Sequence, residues 1–116
     1  MDSEIKKITR LIDEISTMLL KNGCSDLDIK LKREDDLSIV KIVSFDCIFT
    51  DEEISDLRDV LNIQRQCEIE GFYWELMGDD INGDELFLVG SMIDSADVYK
   101  KDNNLFIDIL RRKKRK

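Results

Sequence analysis

The 116-residue chain predicts an α+β domain, built as one mixed or antiparallel sheet of about four strands with helices on one face. Three observations lead there. A long amphipathic helical stripe opens the chain. Two pairs of short alternating segments follow, one early and one late, each pair folded about a polar turn. Between them lies a middle stretch with helical spacing. Strands that come as hairpins and helices that gather in the middle pack most simply as a single sheet with its helices on one side.

The elements follow in order. Ile5, Ile8, Ile12, Ile15 and Leu19 recur every three or four residues, widened by Leu11 and Met18, and predict a first helix over about 3–22. Asp2 or Ser3 can cap its start, and Gly23 stands where a left-handed residue ends a helix. Leu27, Ile29 and Leu31 alternate with Asp28, Lys30 and Lys32, a strand with one wet face. Glu34-Asp35-Asp36 makes the turn, and Ile39 to Val43 is a more buried, β-branched strand interrupted by Lys41. Thr50-Asp51-Glu52-Glu53 is a capping box that starts a second helix over about 51–61, with Ile54, Leu57 and Leu61 as its apolar stripe. A third helix is predicted over about 67–77 and a fourth from Asp84. Strands at Ala96 to Lys100 and Leu105 to Leu110 then flank the turn 101–104. The predicted order is α-β-β-α-α-α-β-β.

Composition narrows the function classes. One domain is the natural size, taken as residues 1–110, with 111–116 read as a basic, solvated C-terminal tail. Six of the 18 basic residues are the last six, so the first 110 residues hold 12 bases against 26 acids, a net charge of −14. An acidic body repels a nucleic-acid backbone, and no nucleic-acid partner is expected. No apolar run is long enough to span a bilayer, and the acidic start lacks a signal-peptide core, so a cytoplasmic protein without a membrane partner is expected. Cys24, Cys47 and Cys67 are widely spaced and read as reduced thiols. The absence of histidine removes the commonest general base and metal ligand and closes the Ser-His and Cys-His mechanisms. Asp80 to Glu85 suggests a calcium loop, but aligning Gly83 with the loop glycine places Gly78 and Val89 at ligand positions, and neither side chain supplies an oxygen. No metal site is expected.

Two stretches carry a resemblance. Glu14 to Gly23 is similar to the first ATP-binding helix of the anti-sigma-factor serine kinases of the GHKL superfamily, whose pattern is Glu, three residues, Asn, three residues, His-Gly. Glu14 and Gly23 align without a gap, Met18 stands at the magnesium-holding asparagine, and Asn22 at the histidine. Gly83 to Val98 resembles the family's lid and following strand, with Glu85 at the second lid glycine. Asp46 stands near the adenine-binding aspartate, without the glycines that accompany it in the family. The resemblance implies a GHKL-like, histidine-kinase-type ATPase fold with a degenerate site at Glu14, Met18, Asn22, Asp46, Gly83 and Glu85.

These losses have a physical meaning. A thioether is a poor magnesium ligand. Glu85 sets a negative charge where a triphosphate needs bare backbone amides. Missing glycines forbid close backbone approach. No cofactor and no catalytic residue are therefore expected. The resemblance implies a non-catalytic pseudokinase, a regulatory module that acts on a protein partner or as a homodimer. The alternative is an atypical but active ATP-binding serine kinase.

Overall fold

The structure, a computed structural model, describes residues 3–63 and 89–113, with side chains from Glu4. The predicted third helix, most of the fourth, Cys67, Gly83 and Glu85 lie outside the described residues.

The N-terminal stripe forms helix α1, Ser3–Lys21. Its buried line is Ile8, Leu11, Ile15 and Leu19, with Ile12 and Met18 half-buried beside it. Ile5 is exposed, so the stripe is centred on Leu11 rather than running through every isoleucine. Gly23 ends the helix at φ 98°. The Cys24 amide donates to the Leu19 carbonyl at 3.0 Å and the Gly23 amide to Leu20 at 3.2 Å, the paired bonds of a left-handed helix cap. A Cβ at Gly23 would stand 2.9 Å from Ile48 Cδ1, the mobile end of an exposed side chain, so it is the left-handed φ that favours glycine there.

Strands β1 (Leu27–Arg33), β2 (Leu37–Ser44), β3 (Ser95–Lys101) and β4 (Asn104–Arg112) make an open sheet in the order β1-β2-β4-β3, every pair antiparallel. The final hairpin turns at Asp102 and Asn103, with φ of 52° and 68°. Two successive left-handed residues give the tight turn whose twist matches the strands it joins, and Asp and Asn tolerate that conformation best after glycine. The hairpin places β4 against β2, so the two most apolar strands lie at the centre.

One face of the sheet builds the core. Val40 and Ile42 of β2, Leu105, Ile107 and Ile109 of β4, and Val98 of β3 are buried in one cluster with the stripes of both helices. Each such fully buried side chain contributes about 1.5–3 kcal/mol. Helix α2, Asp51–Leu61, adds Ile54, Leu57 and Leu61 and packs along β3. Its predicted capping box is present. Thr50 Oγ1 accepts from the Glu53 amide at 3.1 Å, and Glu53 Oε1 accepts from the Thr50 amide at 2.8 Å. Gly90 meets the far end of α2, where a Cβ would collide with the Val60 carbonyl oxygen.

Two expectations are corrected. The strand β1 was expected to bury Leu27, Ile29 and Leu31, yet Ile29 is 43% and Leu31 39% exposed. The strand β4 runs through Arg112, two residues into the stretch read as a solvated tail. Arg111 is 1% exposed. Its Nε and Nη2 donate to the two oxygens of Glu4, each at 2.9 Å, and its Nη1 donates to the Met92 carbonyl at 2.7 Å. The physical reason is strand alternation: position 111 continues the inward face of Leu105, Ile107 and Ile109, and Glu4 in the first turn of α1 neutralises the charge it brings.

Two stability measurements by urea denaturation follow. Thr50→Ala should cost about 1 kcal/mol by removing the N-cap. Arg111→Met should cost about 3–5 kcal/mol because Glu4 keeps its burial and loses its counter-charge, and adding Glu4→Gln should return part of the loss.

Candidate functional site

The positions singled out by the GHKL resemblance can be followed one by one. Glu14, at the place of the family glutamate, is mostly covered, and its Oε2 lies 3.3 Å from Arg10 Nε one turn earlier on α1. The same guanidinium also lies 3.5 Å from Asp13 Oδ2. Met18 packs half-buried against the core, the environment a thioether prefers. Asn22 is exposed, and its side-chain amide donates to the Met18 carbonyl at 2.8 Å, closing the last turn of the helix. Asp46 is an exposed turn residue with φ 56°, and its backbone amide donates to Asn104 Oδ1 at 3.2 Å. Each position thus serves helix or turn geometry. The loop after β2 does reach the end of α1, because Ile48 lies against Gly23. The same loop is tied to the last hairpin by the Cys47 amide, which donates to the Asn103 carbonyl at 2.8 Å.

Cys24 and Cys47 are buried free thiols. Among the described residues no three metal-ligating side chains gather, and no described helix is long and apolar enough to cross a membrane.

Among the described residues, the sheet face opposite the core carries a varied set of side chains. Strand register arranges it in rows. Asp28, Val43, Phe106 and Tyr99 form one row across β1, β2, β4 and β3; Lys30, Lys41, Asp108 and Asp97 form the next; Lys32, Ile39, Leu110 and Ser95 the third. The middle row is basic on β1 and β2 and acidic on β4 and β3. A shallow open hollow is lined by Lys30, Lys32, Lys41 and Ile39. Lys30 directly opposes Lys41, a like-charge pair that costs stability and so concentrates positive potential at that end.

The acidic end acts on Tyr99. Its ring stacks on Phe106, with centroids 5.1 Å apart and planes 6° from parallel. Its hydroxyl lies 3.5 Å from Asp108 Oδ2. Partial burial first, and then the Asp108 and Asp97 carboxylates, hold the phenol above its ordinary pKa of 10.0.

Three bonding side chains were not anticipated from the sequence. Arg58 and Asn62 of α2 bond the outer edge of β3: Arg58 Nε and Nη2 donate to the Val98 carbonyl at 3.0 and 2.6 Å, and Asn62 exchanges bonds with both backbone groups of Ala96 at 2.7 and 2.9 Å. Their spacing of four on one flank of the α2 stripe was the available signal. Arg111 is the third, and extending the β4 alternation by one step finds it. No family model, curated protein or solved structure matches the chain.

The phenol makes a pH prediction. A raised folded pKa stabilises the fold fully below the unfolded value of 10.0, and that contribution is lost as pH rises through the folded pKa. In a Tyr73→Phe background, tyrosinate absorbance should titrate above the ordinary tyrosine range, and Asp108→Asn should move the midpoint down.

Proposed function

We propose that the chain is a non-catalytic, ATP-binding-deficient module of GHKL-like fold that works by binding another protein in bacterial regulation, within the cytoplasm. In this reading the sheet with helices on its core face is the relic of an ATPase sandwich. The single observation that carries it is the fate of Met18. The position where the resemblance asks for a magnesium ligand holds a thioether packed on the hydrophobic core. Support also comes from Glu14, whose carboxylate already faces Arg10, and from Asn22, whose amide closes its own helix. A site that has given its polar groups to local structure has none left to organise a triphosphate and its metal. What the molecule offers instead is an open sheet face on which Phe106, Val43 and Ile39 alternate with charged residues, a surface suited to recognising another protein rather than a small ligand.

Calorimetric titration with magnesium-ATP should give no saturable heat, and the nucleotide should leave the melting temperature unchanged. A dissociation constant below about 100 μM would sink this reading and favour the active serine kinase.

A further inference from the structure

The two edges of the sheet are treated differently. At β3, both outward backbone groups of Ala96 and the outward carbonyl of Val98 are bonded by Asn62 and Arg58. The middle of that edge is capped by the protein's own side chains. At the opposite edge, β1 is a seven-residue strand with neither proline nor glycine, Leu27–Arg33. Glu34 and Leu37 form a reciprocal backbone pair with β2, and the Phe45 amide bonds the Asp26 carbonyl. Even-numbered residues of β1 therefore bond β2, and Leu27, Ile29, Leu31 and Arg33 turn their amides and carbonyls to the open edge. The same odd-numbered residues carry the exposed apolar side chains Ile29 and Leu31. A seven-residue edge whose outward amides and carbonyls have no partner among the described residues, with Ile29 and Leu31 exposed beside them, is a template for another strand.

The sequence of this edge specifies which strand. A two-fold axis perpendicular to the sheet would set β1 antiparallel to its own copy and keep like faces together. Four registers centre near the strand's middle. Centring on Asp28 opposes two aspartates, centring on Lys30 opposes two lysines, and centring on Leu31 opposes Lys30 to Lys32 and Ile29 to Arg33. Centring on Ile29 opposes Ile29 to itself, Leu27 to Leu31, Asp28 to Lys30 and Asp26 to Lys32. In that register apolar meets apolar, acid meets base at every charged step, and Ile29 is a residue whose backbone groups already face outward. Roughly six backbone bonds then join the copies. The Asp28–Lys30 pairs fall at the closer, non-hydrogen-bonded positions, where side chains interact best.

We propose that the chain forms a homodimer by antiparallel β1–β1 pairing about a two-fold axis at Ile29, joining two four-stranded sheets into one of eight strands. The interface does not depend on the GHKL reading; it runs along the β1 edge, and its charged pairs use Asp28, Lys30 and Lys32 at the border of the outer sheet face.

Sedimentation equilibrium between about 10 μM and about 1 mM covers the range in which a small interface associates. The mass should rise with concentration from 13.6 kDa to twice that value. A mass that stays monomeric throughout overturns the proposal. Ile29→Pro removes an amide that β2 does not use, so the circular dichroism should be retained while dimerisation is lost. A folded Ile29→Pro protein that still dimerises also overturns it. The register has its own test. Asp28→Lys and Lys30→Asp each oppose like charges twice across the axis, and each alone should weaken the dimer at least about tenfold. Mixed in equal amounts, they should restore a dimer with one copy of each, because every charged pair is again opposite in sign. Two weakened variants that fail to recover on mixing would rule out the Ile29-centred pairing.

Discussion

The buried pair between Glu4 and Arg111 is the constraint around which the described structure is arranged. A guanidinium with 1% exposure survives only if its charge is matched and its donors are used. Glu4 supplies both oxygens from the first turn of α1, and the Met92 carbonyl takes a third donor. Three pieces of chain far apart in sequence are thereby held together: the start of α1, the segment just before β3, and the end of β4. The fork geometry of the guanidinium also leaves little freedom in how they meet. Close packing of Ile8, Leu11, Ile15 and Leu19 holds the helix against the sheet, and the charged pair pins its N-terminal end.

A second layer of order comes from chain ends of elements rather than from their middles. Helix α1 stops at Gly23, whose left-handed backbone favours glycine and which lies beside Ile48. Helix α2 starts at Thr50, and its far end meets Gly90, where the backbone approaches too closely for a side chain. Arg58 and Asn62 then carry α2 across to the edge of β3. These contacts cap the middle of one sheet edge, and the other edge is left with a strand whose backbone and apolar side chains both face outward. Ser44, buried with a hydroxyl that finds no partner, marks the one described place in the sheet core where polarity is left unanswered.

The positions suggested by the GHKL resemblance show how motif and geometry can separate. Glu14, Met18, Asn22 and Asp46 occur in the expected order, and the loop after β2 does approach the end of α1. Their side chains and backbones are nonetheless spent on helix charge balance, core packing, helix closure and a turn. A residue's spacing in sequence says which face it shares, and it does not say whether that face opens on a cavity.

The sequence by itself determined the local elements. Period-3.6 spacing placed α1, the Thr50 to Glu53 box placed the start of α2 to the residue, and period-2 alternation with polar turns placed all four strands. These are short-range effects of backbone geometry and capping, and they need no knowledge of what packs on what. The same alternation already assigned Arg111 to the inward face of β4, but a basic run reads as solvated unless a buried carboxylate is known to wait for it. Only the tertiary structure brought Glu4 there from 107 residues away. Only it decided that Leu105 to Ile109 would fill the centre of the sheet while the equally alternating Ile29 and Leu31 would stand at its open edge. The sequence marks β2 as the more buried strand of its hairpin, but which hairpin strand docks beside it is a long-range choice that local pattern does not make.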